Sequence, residues 1–343
     1  MEEKYQSDLI IDEIIVSHAL VTATRMQSSL FLHRIILCTI TGSFGLVSNI
    51  INICVFARQG LNSSINISFF ALAITDVFRI VAVNWMNLSS SYIIQSLDVS
   101  FVLVELSYRT ASWSIRCANR ITLFTAVFIT VERCICIMVP LKVRKIVPPF
   151  KSVAVLISID VFNVFGFVYK CIPGNYNWTL AATQNKTLIA LKVRSNSVEN
   201  EGIAFTLHAV LMSAGLLCVV VFTAVLVVKL NQKTQWRLES TSDSSQREAF
   251  KTKDRKTVKM VILVAAVMVV CYTPAVMLSV VSASCPPELN VTGPLASLFH
   301  GVWTVVFVLG TVNASVNIFI YYSMSTKYKE DLKQLLQWRY KTL

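Results

Sequence analysis

Seven long apolar stretches dominate this chain of 343 residues and limit what it can fold into. A helix that crosses a membrane needs roughly 20 mostly apolar residues, and each stretch reaches about that length. Only 15% of the residues are charged, which is less than a soluble domain of this size carries. The sequence therefore predicts an all-α membrane protein, a seven-transmembrane helix bundle. The stretches lie at about 35–57, 65–88, 104–139, 152–172, 203–229, 258–283 and 295–322.

The segments outside the stretches predict a single domain with short ends. Residues 1–33 are predicted to form an extracellular tail, 34–323 the bundle, and 324–343 a C-terminal segment. Apolar residues recur in that last segment at helical spacing among lysines, which predicts a short amphipathic helix on the cytoplasmic membrane surface. These apolar residues are Tyr328, Leu332, Leu335 and Leu336. The inner loop 230–257 has a Ser/Thr-rich centre and is predicted to be a flexible linker.

The net charge of +12 is a topology signal here and does not indicate nucleic-acid binding. Lysine and arginine cluster after the third, fifth and seventh stretches, which all lie on one side of a seven-span chain. The positive-inside rule makes that side cytoplasmic and the amino terminus extracellular. The amino end, Met1-Glu2-Glu3, has no basic leader, so no cleaved signal peptide is expected. We expect a multi-pass protein of the plasma membrane.

Glycosylation sequons agree with this orientation. Three of them fall in predicted outer loops, at Asn177, Asn185 and Asn290, and a fourth lies at the outer edge of the second stretch, at Asn87. Of the nine cysteines, Cys171 and Cys285 lie near the outside, where oxidation is permitted, and form a candidate disulfide. Sequence alone cannot establish that pairing.

Glu132-Arg133-Cys134 closes the third stretch, and Pro140-Leu141 follows. An arginine at the end of a membrane helix is costly unless it has a task. One acidic neighbour is Glu132, and a second acid, Asp254, lies at the start of the sixth stretch. This arrangement suggests a latch whose opening exposes a binding surface on the cytoplasmic side.

Five motifs in the right order together resemble the rhodopsin-like (class A) G-protein-coupled receptor family. The resemblance runs through nearly all seven stretches. Two positions depart from the usual family pattern: Tyr272 stands in place of tryptophan, and Ile318 in place of proline. The motifs are Asn49 in the first stretch, Leu72-Ala73-Ile74-Thr75-Asp76 in the second, Glu132-Arg133-Cys134 with Pro140-Leu141, Cys271-Tyr272-Thr273-Pro274, and Asn317-Ile318-Phe319-Ile320-Tyr321.

Within that family, two segments resemble gastropod mollusc chemosensory receptors more narrowly. The segment 313–325 is similar to the seventh span of those receptors, and 131–143 is similar to the end of their third span. One family feature is missing, since Tyr108 stands about where the usual cysteine of the third span would be. The disulfide from the third span to the second outer loop is therefore in doubt.

The resemblance implies a set of activation and G-protein-coupling residues: Glu132, Arg133, Asp254, Pro140, Leu141, Pro274, Asn317 and Tyr321. Pro274 would place a hinge in the sixth span, because proline lacks the N–H of the helix. Tyr321 could equally be an aromatic residue at the membrane interface.

The resemblance also implies a buried ion or water site, with a sodium ion as the candidate occupant. Asp76 could instead be a neutral, protonated acid, because burial disfavours the charged form. The residues of this site are Asp76, Thr122, Asn313 and Asn317.

An unusual polar group lies in the outer half of the third stretch, where the resemblance places the ligand cavity. Arg116, Asn119 and Arg120 share one helix face by spacing, and Arg79 of the second stretch could join them. Together with Tyr272, these three are the candidate ligand contacts. The alternative is internal pairing, which would join Arg120 to Asp160 and Arg116 to Glu105.

These observations predict a chemosensory receptor that binds an extracellular small molecule or peptide and activates a heterotrimeric G protein. A neuropeptide or transmitter receptor of the same fold is the alternative within the class, and a transporter or channel is the alternative from another class. We expect no enzyme activity, because the sequence carries no nucleophile–base or metal-ligand pattern. The expected partners are the ligand, the G protein and the lipid bilayer; no cofactor or nucleic acid is expected.

Overall fold

The computed structural model describes residues 32–89, 103–140, 142–170, 176–183, 186–193, 197–240, 244–284 and 296–341. Within these residues, seven long helices follow one another along the chain, each over one predicted stretch. A short helical turn follows the third long helix, and one further helix ends the chain. The helices are α1 (Leu32–Gln59), α2 (Ser64–Ser89), α3 (Leu103–Met138), α4 (Val143–Ile146), α5 (Pro149–Lys170), α6 (Ser197–Ser240), α7 (Ser244–Ser284), α8 (Ala296–Met324) and α9 (Thr326–Lys341).

Six of the long helices are long and apolar enough to cross a membrane: α1, α2, α3, α6, α7 and α8. The remaining long helix, α5, has 22 residues, of which side chains are described for 149–165. Large apolar side chains point away from the bundle, including Phe165, which is 76% exposed, and Ile40, which is 64% exposed. An apolar exterior of this extent suits lipid tails and would be unstable in water. The prediction of an all-α membrane protein is confirmed.

The helices pack mainly against their neighbours around α3. Helix α2 contacts α3 and α5, while α6 contacts α3 and α7, and α7 contacts α8. The largest buried apolar cluster lies toward the inner end and joins seven helices, namely α1, α2, α3, α6, α7, α8 and α9. Its residues include Val55, Leu72, Ile129, Leu226 and Val261. This core holds the inner ends of the spans together.

Helix α9 confirms the predicted amphipathic segment and shows where its apolar face packs. Tyr328 is buried, and Leu332 and Leu335 pack against the inner core cluster, whereas Leu336 is exposed. The Tyr328 hydroxyl donates a hydrogen bond to Asn52 Oδ1 at 2.5 Å. The helix therefore packs against the bundle itself.

The inner loop 230–257 differs from the expected flexible linker. Helix α6 continues to Ser240 and α7 begins at Ser244, so the helices extend well beyond the apolar stretches. Residues 241–243 lie outside the described residues. Most of the charged and polar residues of this segment are ordinary helix formers, so they can continue both helices beyond the apolar stretches.

A β-hairpin, which we did not predict, lies in the second outer loop. Strand β1 (Tyr176–Thr183) pairs antiparallel with β2 (Lys186–Val193), and β2 contacts α3. The signal was present, since β1 contains Tyr176, Trp178 and two threonines, and β2 contains Thr187, Ile189 and Val193, which are residue types that favour strands. The hairpin brings the outer loop against the helix that carries the candidate ligand contacts.

Candidate functional site

Arg116 lies on α3 and is half-buried. Its guanidinium carbon lies 4.6 Å from the centre of the Trp113 ring, one helical turn toward the outer end. Stacking on an aromatic face holds the guanidinium in one direction. The side chain of Glu105, the alternative partner of Arg116, lies outside the described side chains.

The second helix joins this polar group through a hydrogen bond between Arg79 and Asn119. Arg79 is 1% exposed, and its Nε donates a hydrogen bond to Asn119 Oδ1 at 2.8 Å. The Arg79 guanidinium packs against Gly310 of α8 so closely that a Cβ at this glycine would collide with it. The glycine therefore makes room for a buried arginine between α2, α3 and α8.

Arg120 ties three helices together through partners that the sequence analysis did not identify. Its Nε donates to Asn163 Oδ1 at 2.9 Å, its Nη2 donates to the Asn163 carbonyl at 3.1 Å, and its Nη1 lies 3.2 Å from His208 Nδ1. Because arginine only donates, His208 Nδ1 accepts and the imidazole carries its proton on Nε2. The alternative pairing with Asp160 is wrong, because Asp160 points to the exposed side of α5.

The predicted ion or water site is buried in the middle of the bundle. Asp76 is fully buried, and its Oδ2 accepts a hydrogen bond from Asn317 Nδ2 at 2.9 Å. Its second oxygen, Oδ1, and the Thr122 hydroxyl have no hydrogen-bond partner among the described residues. Asn313 is also buried. Asp76 and Asn317, two of the four predicted residues, are thus in direct contact. The oxygens Asp76 Oδ1 and Thr122 Oγ1 could still bind an ion or a water molecule.

The fit of a sodium ion at Asp76 depends on the charges around it. The two available oxygens, Asp76 Oδ1 and Thr122 Oγ1, are of the type that a hard cation prefers. Arg79 lies one helical turn from Asp76 and is close enough to interact with it electrostatically. The carboxylate therefore already has a cation beside it, and the site does not fit a second one.

Tyr272 and Pro274 lie together inside α7. Tyr272 is buried against Leu123, Met212 and Met268, and its hydroxyl has no hydrogen-bond partner among the described residues. Pro274 leaves one carbonyl of the preceding turn without its helical N–H. A rotation of the inner half of α7 about Pro274 would move the contacts of Tyr272 with α3 and α6.

At the inner end of α3, Glu132 and Arg133 form an ion pair. Arg133 Nη2 donates to Glu132 Oε1 at 2.5 Å, and the two side chains are 15% and 2% exposed. Arg133 Nε and Glu132 Oε2 have no hydrogen-bond partner in the described part of the chain. The side chain of Asp254 and all of Leu141 lie outside the described residues, whereas Pro140 is exposed after the helix ends.

Tyr321 is part of an aromatic cluster and is not at the membrane interface. Its ring lies 4.9 Å from that of Phe69, 5.1 Å from that of Phe56 and 5.8 Å from that of Tyr328. The residue is buried, so the interfacial alternative is wrong. The cluster connects α1, α2, α8 and α9 at the inner end of the bundle, where the Glu132–Arg133 pair also lies.

Asn49 forms a polar link that continues this connection. Its Nδ2 donates to the Gly45 carbonyl at 2.9 Å and to the Ala314 carbonyl at 2.6 Å, and its Oδ1 accepts from Asn52 at 3.3 Å. A buried amide between two helices fixes their separation, because each of its groups would be costly without a partner.

The predicted modification sites are mostly outside the described residues. This holds for Asn185, Asn290, Cys171 and Cys285, and for the side chain of Asn177. Asn87 contradicts its prediction as a glycosylation site: its side chain is 1% exposed, which leaves no space for an oligosaccharide. The seven cysteines that the structure describes are free thiols.

Within the described ranges, no group of three or more His, Cys, Asp or Glu side chains is placed to hold a metal ion. A family model described as serpentine type 7TM GPCR chemoreceptor Srw matches residues 36–339. The match begins inside α1, covers the other six long helices completely and includes most of α9. A comparison with curated proteins gives no match.

Proposed function

Because the chain belongs to the serpentine type 7TM GPCR chemoreceptor Srw family, we propose that it detects an extracellular ligand that carries an anionic or strong acceptor group. The family gives the general role: a multi-pass membrane receptor that binds a ligand and couples to a G protein. The ligand class is our inference from the arginines of the outer half of the bundle.

The accessibility of Arg116 is the observation that carries this proposal. Arg79 and Arg120 are buried, and their donors are directed to Asn119, Asn163 and His208. Arg116 is half-buried, and its guanidinium lies over the Trp113 ring. A guanidinium keeps its charge at any physiological pH, and its planar fork matches carboxylates and phosphates. Asn119 and Tyr272 would line the inner side of the same site, and Arg120 would position the helices around it.

Signalling would follow from a shift between two packings of the bundle. Ligand contacts at Arg116 and Tyr272 would favour the packing in which the inner part of α7 moves outward about Pro274. Arg133 would then leave its acidic partners and face the G protein. The Tyr321 cluster and the Asn317–Asp76 contact would rearrange with it, since they lie between the two ends.

The test of this proposal is a ligand screen in cells that express the full chain with a second-messenger readout. The narrower resemblance to gastropod mollusc chemosensory receptors makes small water-borne acids and acidic peptides the first compounds to try. We expect agonists among compounds with a carboxylate or phosphate. Activation restricted to uncharged or cationic compounds would contradict the proposed ligand class. Expression in central neurons instead of sensory epithelium would favour the neuropeptide or transmitter alternative.

Removal of the Asp254 carboxylate is expected to raise basal signalling. Arg133 Nε has no partner in the described part of the chain, although Glu132 binds the other side of the guanidinium. A second acid beside Arg133 would stabilise the resting packing by about 1–3 kcal/mol, because an ion pair that is partly shielded from water contributes more than an exposed pair. Asp254→Ala should therefore raise basal second-messenger levels by roughly tenfold, and Asp243→Ala serves as a control from the same loop. Equal basal levels at equal surface expression would contradict the latch.

Glycosylation is expected to confirm an extracellular amino terminus. The second outer loop carries two sequons, at Asn177 and Asn185. Glycosidase treatment should increase the gel mobility of the wild type, and the double variant Asn177→Gln/Asn185→Gln should lose most of that change. If glycosidase still changes the gel mobility of the double variant fully, the sugars are attached at other residues. If an antibody labels a tag at residue 1 only after the cells are permeabilised, the predicted orientation is wrong.

A further inference from the structure

Two polar layers lie one above the other in the middle of the bundle. The inner layer contains Asp76, Thr122 and Asn313 on α2, α3 and α8. Moving three residues toward the outer end of each helix leads to Arg79, Asn119 and Gly310, respectively. Three residues of helix correspond to about 4.5 Å of rise. The second layer therefore covers the outer side of the predicted ion site.

The guanidinium of Arg79 is fixed in this outer layer. Its Nε donates to Asn119 Oδ1 at 2.8 Å, and its tip packs against Gly310, where any side chain would collide with it. Only 1% of the residue is exposed. A charged group held on two sides at this depth stays where it is, because leaving would abandon both contacts.

The charge of Arg79 acts on the inner layer. It interacts electrostatically with Asp76 and, across the bundle, with Cys271 and Tyr272 of α7. Arg79 Nη1 is a donor with no partner in the described part of the chain, and Asp76 Oδ1 and Thr122 Oγ1 are oxygens in the same condition. A single water molecule can join such a donor to such acceptors at little cost.

We propose that Arg79 is the resident cation of this bundle and that Asp76 consequently binds no sodium ion. A sodium ion at Asp76 would lie beside a fixed positive charge that neutralises the carboxylate and repels the ion. Two unit charges about 6 Å apart, at an effective dielectric constant of 20, repel enough to weaken binding roughly 100-fold. The proposal concerns the core of the bundle and does not depend on the identity of the ligand.

The test measures the thermal melting of the purified full-length receptor in detergent, so it requires neither ligand nor G protein. Melting is followed in a series of sodium chloride concentrations, with choline chloride keeping the ionic strength constant. We expect the wild type to melt at the same temperature throughout. The variant Arg79→Met should gain a sodium-specific rise of about 2 °C or more, because ligand binding to the folded state stabilises it. The double variant Arg79→Met/Asp76→Asn should lose that rise.

Sodium-specific stabilisation of the wild type would overturn the proposal by itself, whether or not the variants fold. A folded Arg79→Met receptor that remains indifferent to sodium would overturn the claim that this arginine excludes the ion. Because choline chloride keeps the ionic strength constant, any change in melting temperature along the series is due to sodium and not to ionic strength. Failure of the anionic-ligand proposal would leave all these results unchanged.

Discussion

Replacing Arg120 by alanine is expected to destabilise the bundle by about 2–5 kcal/mol, because each buried acceptor that is left without a donor costs about 1–3 kcal/mol. The substitution removes three contacts and leaves Asn163 Oδ1 and His208 Nδ1 buried without their donor. The variant should melt roughly 5–10 °C below the wild type and reach the cell surface in smaller amounts.

The control for this experiment is Arg116→Ala, four residues along the same helix. Arg116 is half-buried, and its contact with Trp113 is of the type that contributes about 0.5–1 kcal/mol at partly exposed sites, so we expect a smaller fall in melting temperature than for Arg120→Ala. A compensated variant, Arg120→Met with Asn163→Leu, should recover part of the loss because it fills the volume without unpaired polar groups. An Arg120→Ala receptor that melts like the wild type but loses agonist potency would restore Arg120 as a ligand contact.

Arg116→Ala is expected to lower agonist potency by about 100-fold for ligands that carry a carboxylate or phosphate. The loss corresponds to a charge-assisted hydrogen bond, which contributes about 1.5–3 kcal/mol. Arg116→Lys keeps the charge without the planar fork, so it should lose less. The measurement is a dose–response curve in cells that display equal amounts of each receptor at the surface.

Failure of Arg116→Ala to reach the surface would contradict the ligand role and make the arginine a structural partner within the bundle. The same variant with unchanged potency would separate Arg116 from the ligand altogether. Trp113→Leu provides an independent check, since it removes the ring that orients the guanidinium but keeps the charge. We expect it to weaken potency by less than Arg116→Ala does.

Hydropathy predicted the helices well because a membrane span must be apolar over its whole length, whatever it packs against. Each of the seven stretches coincides with one long helix, and no stretch extends more than two residues beyond the described bounds of its helix. The prediction failed where charged residues begin: α6 and α7 continue into the inner loop, because hydropathy marks the apolar segment and not the end of hydrogen bonding. The hairpin β1–β2 was missed because hydropathy identifies only the spans, so the segment between two spans was treated as a loop.

The polar contacts were predicted only in part. The hypothesis that Arg79 could join the polar group of α3 is confirmed by its contact with Asn119. The alternative that paired Arg120 with Asp160 chose the wrong residue, since the partner is Asn163, one turn away on the same helix. Sequence cannot decide between two polar residues of one helix when the rotation of that helix is unknown. His208 offered a weak signal, because a lone histidine in an apolar span needs a partner. The burial of Tyr321 depends on α9 folding back, which no local pattern shows.

The central proposal is that an extracellular anionic ligand acts through Arg116 to activate a G protein. The most direct measurement is nucleotide exchange on a heterotrimeric G protein reconstituted with the purified receptor in lipid bilayers, with and without an anionic agonist from the cell screen. We expect the agonist to accelerate exchange severalfold with the wild type, and the Arg116→Ala receptor to require about 100-fold more agonist for the same effect. Equal potency for the two receptors, or transport of the compound across the bilayer without any acceleration of exchange, would contradict the account.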